Sequence, residues 1–136
     1  MTYTKTIPIE FNHCDPAGIV FYARYFEMTN SVIENFFADV VGTPFSIMHR
    51  TAGSGVPTVS IKAEFTKPSW LGDKVDFKLG IHKLGRSSLA FEINGSCLGE
   101  QRLCTVITVV WMENWRAHSW PSTMRVRLQE FSEQTP

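Results

Sequence analysis

Only one stretch of this chain repeats its apolar residues at helical spacing over any length. Phe21, Tyr25, Met28, Thr29, Val32, Ile33, Phe36, Phe37 and Val40 recur at three- and four-residue steps, the signature of one helical face. Gly42 supplies a C-cap, and Pro44 cannot continue the same helix. The spacing therefore predicts one helix of about 18 to 20 residues, roughly 30 Å long at 1.5 Å per residue. Its stripe is broad and rich in Phe, so it needs a large apolar surface wrapped around it. The remaining sequence supplies that surface as strands. Residues 4–11 alternate imperfectly, with Ile7, Ile9 and Phe11 on one face and Pro8 at a position suited to a sheet edge. Val56–Phe65, Lys74–Leu84, Ser87–Leu98 and Gln101–Met112 also read as strands. Gly85-Arg86 and Gly99-Glu100 mark short turns, so the last three strands form an antiparallel meander. Phe45–Gly55 reads as a short helix and a loop, and Pro121–Phe131 as a brief terminal helix.

One long helix against an antiparallel sheet with no helical crossovers is an α+β arrangement. At 136 residues, with no repeat or linker, the chain is expected to form one domain over residues 1–136. A single curved sheet cannot bury so apolar a helix and also leave no exposed edge. Dimerisation that extends the sheet edge to edge relieves both problems.

Composition narrows the class of function. Hydrophobic residues make up 43% and charged residues 19%, as in ordinary globular proteins, and thirteen basic residues balance thirteen acidic ones. That neutrality gives no support to a general nucleic-acid binder. No apolar run approaches the roughly 20 residues of a membrane span, and the first residues lack the apolar core of a signal peptide. The three cysteines match no zinc spacing. If residues 98 and 101 pair, Cys97 faces Arg102 and Cys104 faces Gly95, so these two cysteines are not cross-strand partners. A reduced, cytoplasmic protein is the expectation.

The chemistry is concentrated just before the helix. A tight Asp15-Pro16-Ala17-Gly18 turn sets a carboxylate beside the helix N-terminus, where unsatisfied N–H groups carry roughly half a positive charge. A helix N-terminus can hold a developing oxyanion, and a nearby carboxylate can attack or deprotonate, so the pairing suggests acyl chemistry. The plainer reading is that Asp15 caps the helix, worth about 1 kcal/mol. Gly18 serves either the turn itself or the close approach of a ligand to the backbone. His13, two residues before Asp15, faces the same way on an extended segment and invites a dehydratase or metal reading. No third ligand stands at metal spacing. Cys14 points the opposite way and packs. Glu64 reads as an exposed strand position, and His49, His82 and His118 as surface or loop residues.

The run His13-Cys14-Asp15-Pro16-Ala17-Gly18-Ile19-Val20-Phe21-Tyr22, with the long helix and four-strand meander after it, resembles the hotdog-fold acyl-CoA thioesterases. It is most similar to the 4-hydroxybenzoyl-CoA thioesterases and the related Tol–Pal-associated thioesterases. The resemblance implies a sheet wrapped around the central helix, and homodimers with two active sites at the subunit interface that often pair into homotetramers. It implies catalysis by Asp15, as nucleophile or as general base, with the backbone N–H of Tyr22 polarising the thioester carbonyl and no metal or redox cofactor. Many relatives carry an acidic residue where this chain has His13, and Pro where it has Ala23. His13 is expected either to shape the substrate site or hydrogen-bond there, or to serve a purely structural role. Coenzyme A, carried by substrate and product, brings a 3′-phosphate and a pyrophosphate. Lys83-Leu84-Gly85-Arg86-Ser87-Ser88 offers cations, a Gly and hydroxyls for them, above all Arg86, Ser87 and Ser88, with Arg116 as a second candidate. The acyl group, aromatic or of short to medium length, is expected near Phe21, Tyr22, Thr58 and Val59. Two rivals follow from the same residues: a hotdog enoyl- or hydroxyacyl-CoA dehydratase working through His13 and Asp15, and a non-catalytic acyl-CoA-binding module.

Overall fold

The meander pairs as its alternation requires. In the computed structural model, which describes residues 1–133, β3 (Lys74–Leu84), β4 (Ser88–Cys97) and β5 (Glu100–Val110) are consecutive antiparallel neighbours. β1 (Tyr3–Pro8) adds antiparallel to β3, and β2 (Thr58–Phe65) adds antiparallel to β5, giving the order β1-β3-β4-β5-β2. The expected unit of residues 1–136 includes three, 134–136, that lie outside the described residues.

The sheet's inner face is one apolar layer. Val75, Phe77 and Leu79 of β3, Leu89, Phe91 and Ile93 of β4, and Leu103, Ile107 and Val109 of β5 are all buried. Onto this layer lies α1 (Arg24–Phe36), which continues through a π-helical turn over Phe37–Val41 to Gly42, whose φ of 78° ends it as a left-handed cap. Phe36 sits in the middle, its ring edge-on to Phe91 at 5.4 Å and to Phe131 at 5.0 Å. Burying each such Phe contributes about 1.5–3 kcal/mol, so this stripe dominates the core. A short α2 (Phe45–Met48) follows, and α3 (Ser122–Glu133) closes one side with Met124, Leu128 and Phe131 turned inward. This is the α+β hotdog arrangement, a sheet wrapped around one long helix.

Several element ends differ from the sequence expectation. The first strand stops at Pro8, because the Ile9 N–H turns to the Asp73 carbonyl at 2.7 Å and residues Phe11–His13 form a 3-10 turn that leaves Phe11 exposed. The helix begins at Arg24 instead of Phe21, because residues 19–21 still pair back onto residues 13–15, the Phe21 N–H donating to the His13 carbonyl at 3.0 Å. The β4–β5 turn is Leu98-Gly99, both with positive φ, which puts Cys97 opposite Glu100 and Cys104 opposite Asn94. The cysteines are still not cross-strand partners, and Cys14, Cys97 and Cys104 are all free thiols. After β5 the chain forms a small ribbon, β6 (Met112–Glu113) with β7 (Arg116–Ala117), that periodicity did not suggest.

β2 is the exposed edge. Seven of its eight residues are exposed, and Val59 (61%), Ile61 (45%) and Phe65 (44%) stand out among them as apolar. An unpaired, apolar edge of this kind is a template for another strand. Among the described residues no helix is long and apolar enough to cross a membrane.

Candidate active site

Residues 13–21 fold into a tight hairpin of their own. The Phe21 N–H donates to the His13 carbonyl, Cys14 bridges Val20, and the Asp15 N–H donates to the Ile19 carbonyl at 3.0 Å. The Gly18 N–H closes the turn on the Asp15 carbonyl at 2.9 Å. Gly18 has φ +79°, a left-handed conformation open to glycine and strained for other residues. No atom lies within 4 Å of the place a Cβ would occupy there. Gly18→Ala should therefore cost about 1–2 kcal/mol through backbone strain alone, checked by urea denaturation.

Asp15 is half-buried, and its Oδ1 accepts the Ala17 N–H at 2.9 Å. The carboxylate thus braces its own turn and does not cap α1, which starts nine residues later. That bond fixes the rotamer and leaves Oδ2 without a partner among the described residues. Past the hairpin the chain enters the helix through Arg24 N–H to Phe21 carbonyl and Tyr25 N–H to Tyr22 carbonyl bonds. No acceptor among the described residues takes the N–H of Tyr22. One short hairpin thus carries both a fixed carboxylate with an open oxygen and an open amide at a helix start.

The hairpin rests on the loop 66–73. Val20 N–H donates to the Ser69 carbonyl at 2.9 Å, Leu71 N–H to the Gly18 carbonyl at 3.1 Å, and Ile19 bridges Trp70. On its other side Phe65, the last residue of β2, stacks on Tyr25 at 5.6 Å and meets Tyr22 edge-on at 6.1 Å. Phe21, Tyr22, Phe65, Trp70 and Leu71, on the hairpin and the segments that touch it, are exposed apolar side chains.

The other residues named from sequence lie elsewhere. His13 does not approach Asp15 as a partner: its Nδ1 accepts the Glu10 N–H at 2.9 Å, and its side chain lines a hollow of about 270 Å³ with Ile7, Glu27 and Met28. Thr58 and Val59 stand at the far end of β2, roughly 20–23 Å from Phe65 at 3.3 Å per residue. Arg86 and Ser87 of the β3–β4 turn, and Ser88 at the start of β4, lie at that same far end, where the carbonyls of Arg86 and Ser87 accept the N–H groups of Trp120 and Trp111. The Arg86 side chain is exposed, as is Arg116 on β7. Within the chain the candidate residues therefore fall into two groups at opposite ends of the sheet. Among the described residues no group of three or more His, Cys, Asp or Glu gathers as metal ligands would.

Sequence reasoning passed over the residues beneath the hairpin. Arg102 is buried, with its Nη1 2.7 Å from Asp73 Oδ2 and 3.0 Å from the Pro68 carbonyl. The Trp70 N–H and then the Arg102 guanidinium hold the Asp73 carboxyl below the usual carboxylate range. An Arg inside an apolar strand was the available signal. Its inward direction was not visible, because it depends on a bulge.

A family model described as the thioesterase-like superfamily matches residues 9–128. A 1,4-dihydroxy-2-naphthoyl-CoA hydrolase from Crocosphaera subtropica is 27% identical over 107 residues, 79% of this chain and 74% of that protein. Among solved structures, a gentisyl-coenzyme A thioesterase superposes with a TM-score of 0.86 at 25% identity, over 93% of this chain and 99% of its own. A mutant 4-hydroxybenzoyl-CoA thioesterase bound to 4-hydroxybenzoyl-CoA gives a TM-score of 0.86 at 23% identity, over 93% of this chain and 98% of its own.

Proposed function

The chain belongs to the thioesterase-like superfamily, and from that premise we propose that it hydrolyses an acyl-CoA, aromatic in its acyl group, to the free acid and coenzyme A. One observation carries the reading: a single hairpin holds the Asp15 carboxylate by Oδ1 and leads into the Tyr22 N–H, and among the described residues neither Oδ2 nor that N–H has a partner. The thioester carbonyl oxygen accepts the Tyr22 N–H, which favours the charge that builds there in the transition state. Asp15 then acts by one of two routes. As nucleophile, Oδ2 bonds to the carbonyl carbon, the tetrahedral adduct expels the CoA thiolate, and water hydrolyses the mixed anhydride. As general base, Oδ2 takes a proton from a water that attacks the same carbon, and the thiolate leaves with a proton.

The aromatic acyl class draws on two things: the exposed apolar side chains of Phe21, Tyr22 and Phe65, and the naphthoyl-, gentisyl- and hydroxybenzoyl-CoA named for the relatives. The placement of the remaining site residues argues for a homodimer joined along β2. A two-fold axis through two antiparallel β2 strands sets the Thr58 end of one beside the Phe65 end of the other. Thr58 and Val59, with the hollow of about 400 Å³ lined by Phe45, His49, Val56 and Trp115, then approach the Asp15 of the second copy. The Arg86-Ser87-Ser88 turn lies at the same end and would meet the nucleotide phosphates. We extend the proposal to pairing of dimers into a homotetramer and to a reduced, cytoplasmic setting, which suits three free thiols. Hydrolysis of 4-hydroxybenzoyl-CoA and related aryl-CoA esters, followed by thiol release, tests the activity. Hydration of an enoyl-CoA without thiol release would support the dehydratase instead, though His13, bonded to Glu10, gives that route no second group beside Asp15.

A further inference from the structure

We propose that Arg102 is a positioning residue for the Asp15 hairpin, acting through the loop 66–73; the proposal rests on the thioesterase reading above. β5 carries a register shift in which Gly95 faces Leu103 but Ser96 faces Gln101, so Arg102 is the extra residue of a bulge. A bulge re-aims a side chain, and here Arg102 and Leu103, neighbours in sequence, are both buried. Among the described residues Arg102 is the one charged residue that is buried. Its Nη1 reaches Asp73 Oδ2 at 2.7 Å, the Pro68 carbonyl at 3.0 Å and Ser69 Oγ at 3.4 Å. Its Nε lies 3.0 Å from Glu100 Oε1, an ion pair without hydrogen-bond alignment. Its own carbonyl accepts the Thr66 N–H at 2.9 Å. Asp73 Oδ2 also accepts the Trp70 N–H at 2.9 Å. Side chain and backbone of one residue thus fix both ends of the loop.

That loop is the platform of the hairpin. The Ser69 carbonyl receives Val20 N–H, Leu71 N–H donates to Gly18, and Trp70 bridges Ile19. The network reaches the helix start as well. The buried Tyr25 hydroxyl lacks a well-aligned hydrogen bond and sits beside Ser69, and burial pushes its phenol up. A desolvated guanidinium is weak evidence for stability, because a well-packed apolar residue often serves stability as well or better. Its contacts instead set the level at which residues 15–22 sit against the sheet.

Two variants test this: Arg102→Lys, which keeps the charge but loses the fork, and Asp73→Asn, which keeps an acceptor for Trp70 and leaves Arg102 in place. The readouts are kcat and KM for 4-hydroxybenzoyl-CoA and amide hydrogen exchange at Val20 and Leu71, which needs no substrate. The expected result is a kcat lowered about 10- to 100-fold with KM within about threefold, the pattern of a displaced reacting group. Exchange at Val20 and Leu71 should quicken by about tenfold or more while Phe91 and Ile93 stay protected. In an Asp15→Asn background neither variant should lower kcat further, because the positioned group is gone. Should Arg102→Lys fail to fold, Asp73→Asn alone decides. Parental kcat with unchanged exchange, or quickened exchange at every amide together, overturns the positioning role. Parental turnover in Asp15→Asn would instead overturn the thioesterase site itself.

Discussion

Asp15→Asn leaves a folded protein whose turnover of an aryl-CoA falls by about 10³-fold or more, with little change in KM. The size follows from what the substitution removes. Asn matches Asp in shape, and its side-chain oxygen still accepts the Ala17 N–H that sets the turn. The hairpin therefore keeps its form and Gly18 its left-handed conformation. What is lost is the charge on the open oxygen, and with it attack on the thioester or deprotonation of water, contributions of about 10²–10⁴-fold in rate. Because the lost interaction operates in the transition state, kcat and kcat/KM should fall together. Thiol release under saturating substrate, beside an unchanged circular dichroism spectrum and melting temperature, checks it.

The second large effect concerns the sheet edge. Val59→Lys combined with Ile61→Lys places two cations on β2 where 61% and 45% exposed apolar residues now stand. Lysines on an edge strand oppose pairing with another strand, and two copies brought together would set like charges against each other. The β2–β5 ladder is internal to the chain and survives. Light scattering should then report the mass of one chain, where the parent protein reports two or four. Activity should fall by about 100-fold or more, because Thr58 and the Arg86 turn lie at the opposite end of β2 from Phe65 and the hairpin it adjoins, roughly 23 Å along the strand. A monomer as active as its parent would show that one chain holds a whole site.

How much of this was legible in the sequence depends on the range of the forces involved. Helix, meander and C-cap are local or periodic features, so the stripe from Phe21 to Val40, the strand alternation and Gly42 announced them. The element ends were set by partners distant in sequence. Asp73 draws Ile9 out of the first strand, and the His13 carbonyl claims the amide that periodicity had assigned to the helix. His13 itself was misleading. Alternation placed it with Asp15, but a 3-10 turn folds its ring back onto Glu10. Arg102 was visible as an Arg inside an apolar strand, but its inward direction was not, because a bulge adds one residue to the count and turns an outward position inward. The separation of Asp15 from Thr58 and Arg86 was not read, because it follows from the pairing of β2 with β5 and from the loop 66–73 that seats the hairpin, both set by partners distant in sequence.

The most direct test is a crystal structure of the Asp15→Asn protein with 4-hydroxybenzoyl-CoA bound. The account predicts the thioester oxygen about 2.7–3.1 Å from the Tyr22 nitrogen, and the carbonyl carbon about 3–3.5 Å from the side chain of residue 15. A thioester seated away from that hairpin, with the Tyr22 amide facing solvent or another partner, would contradict it.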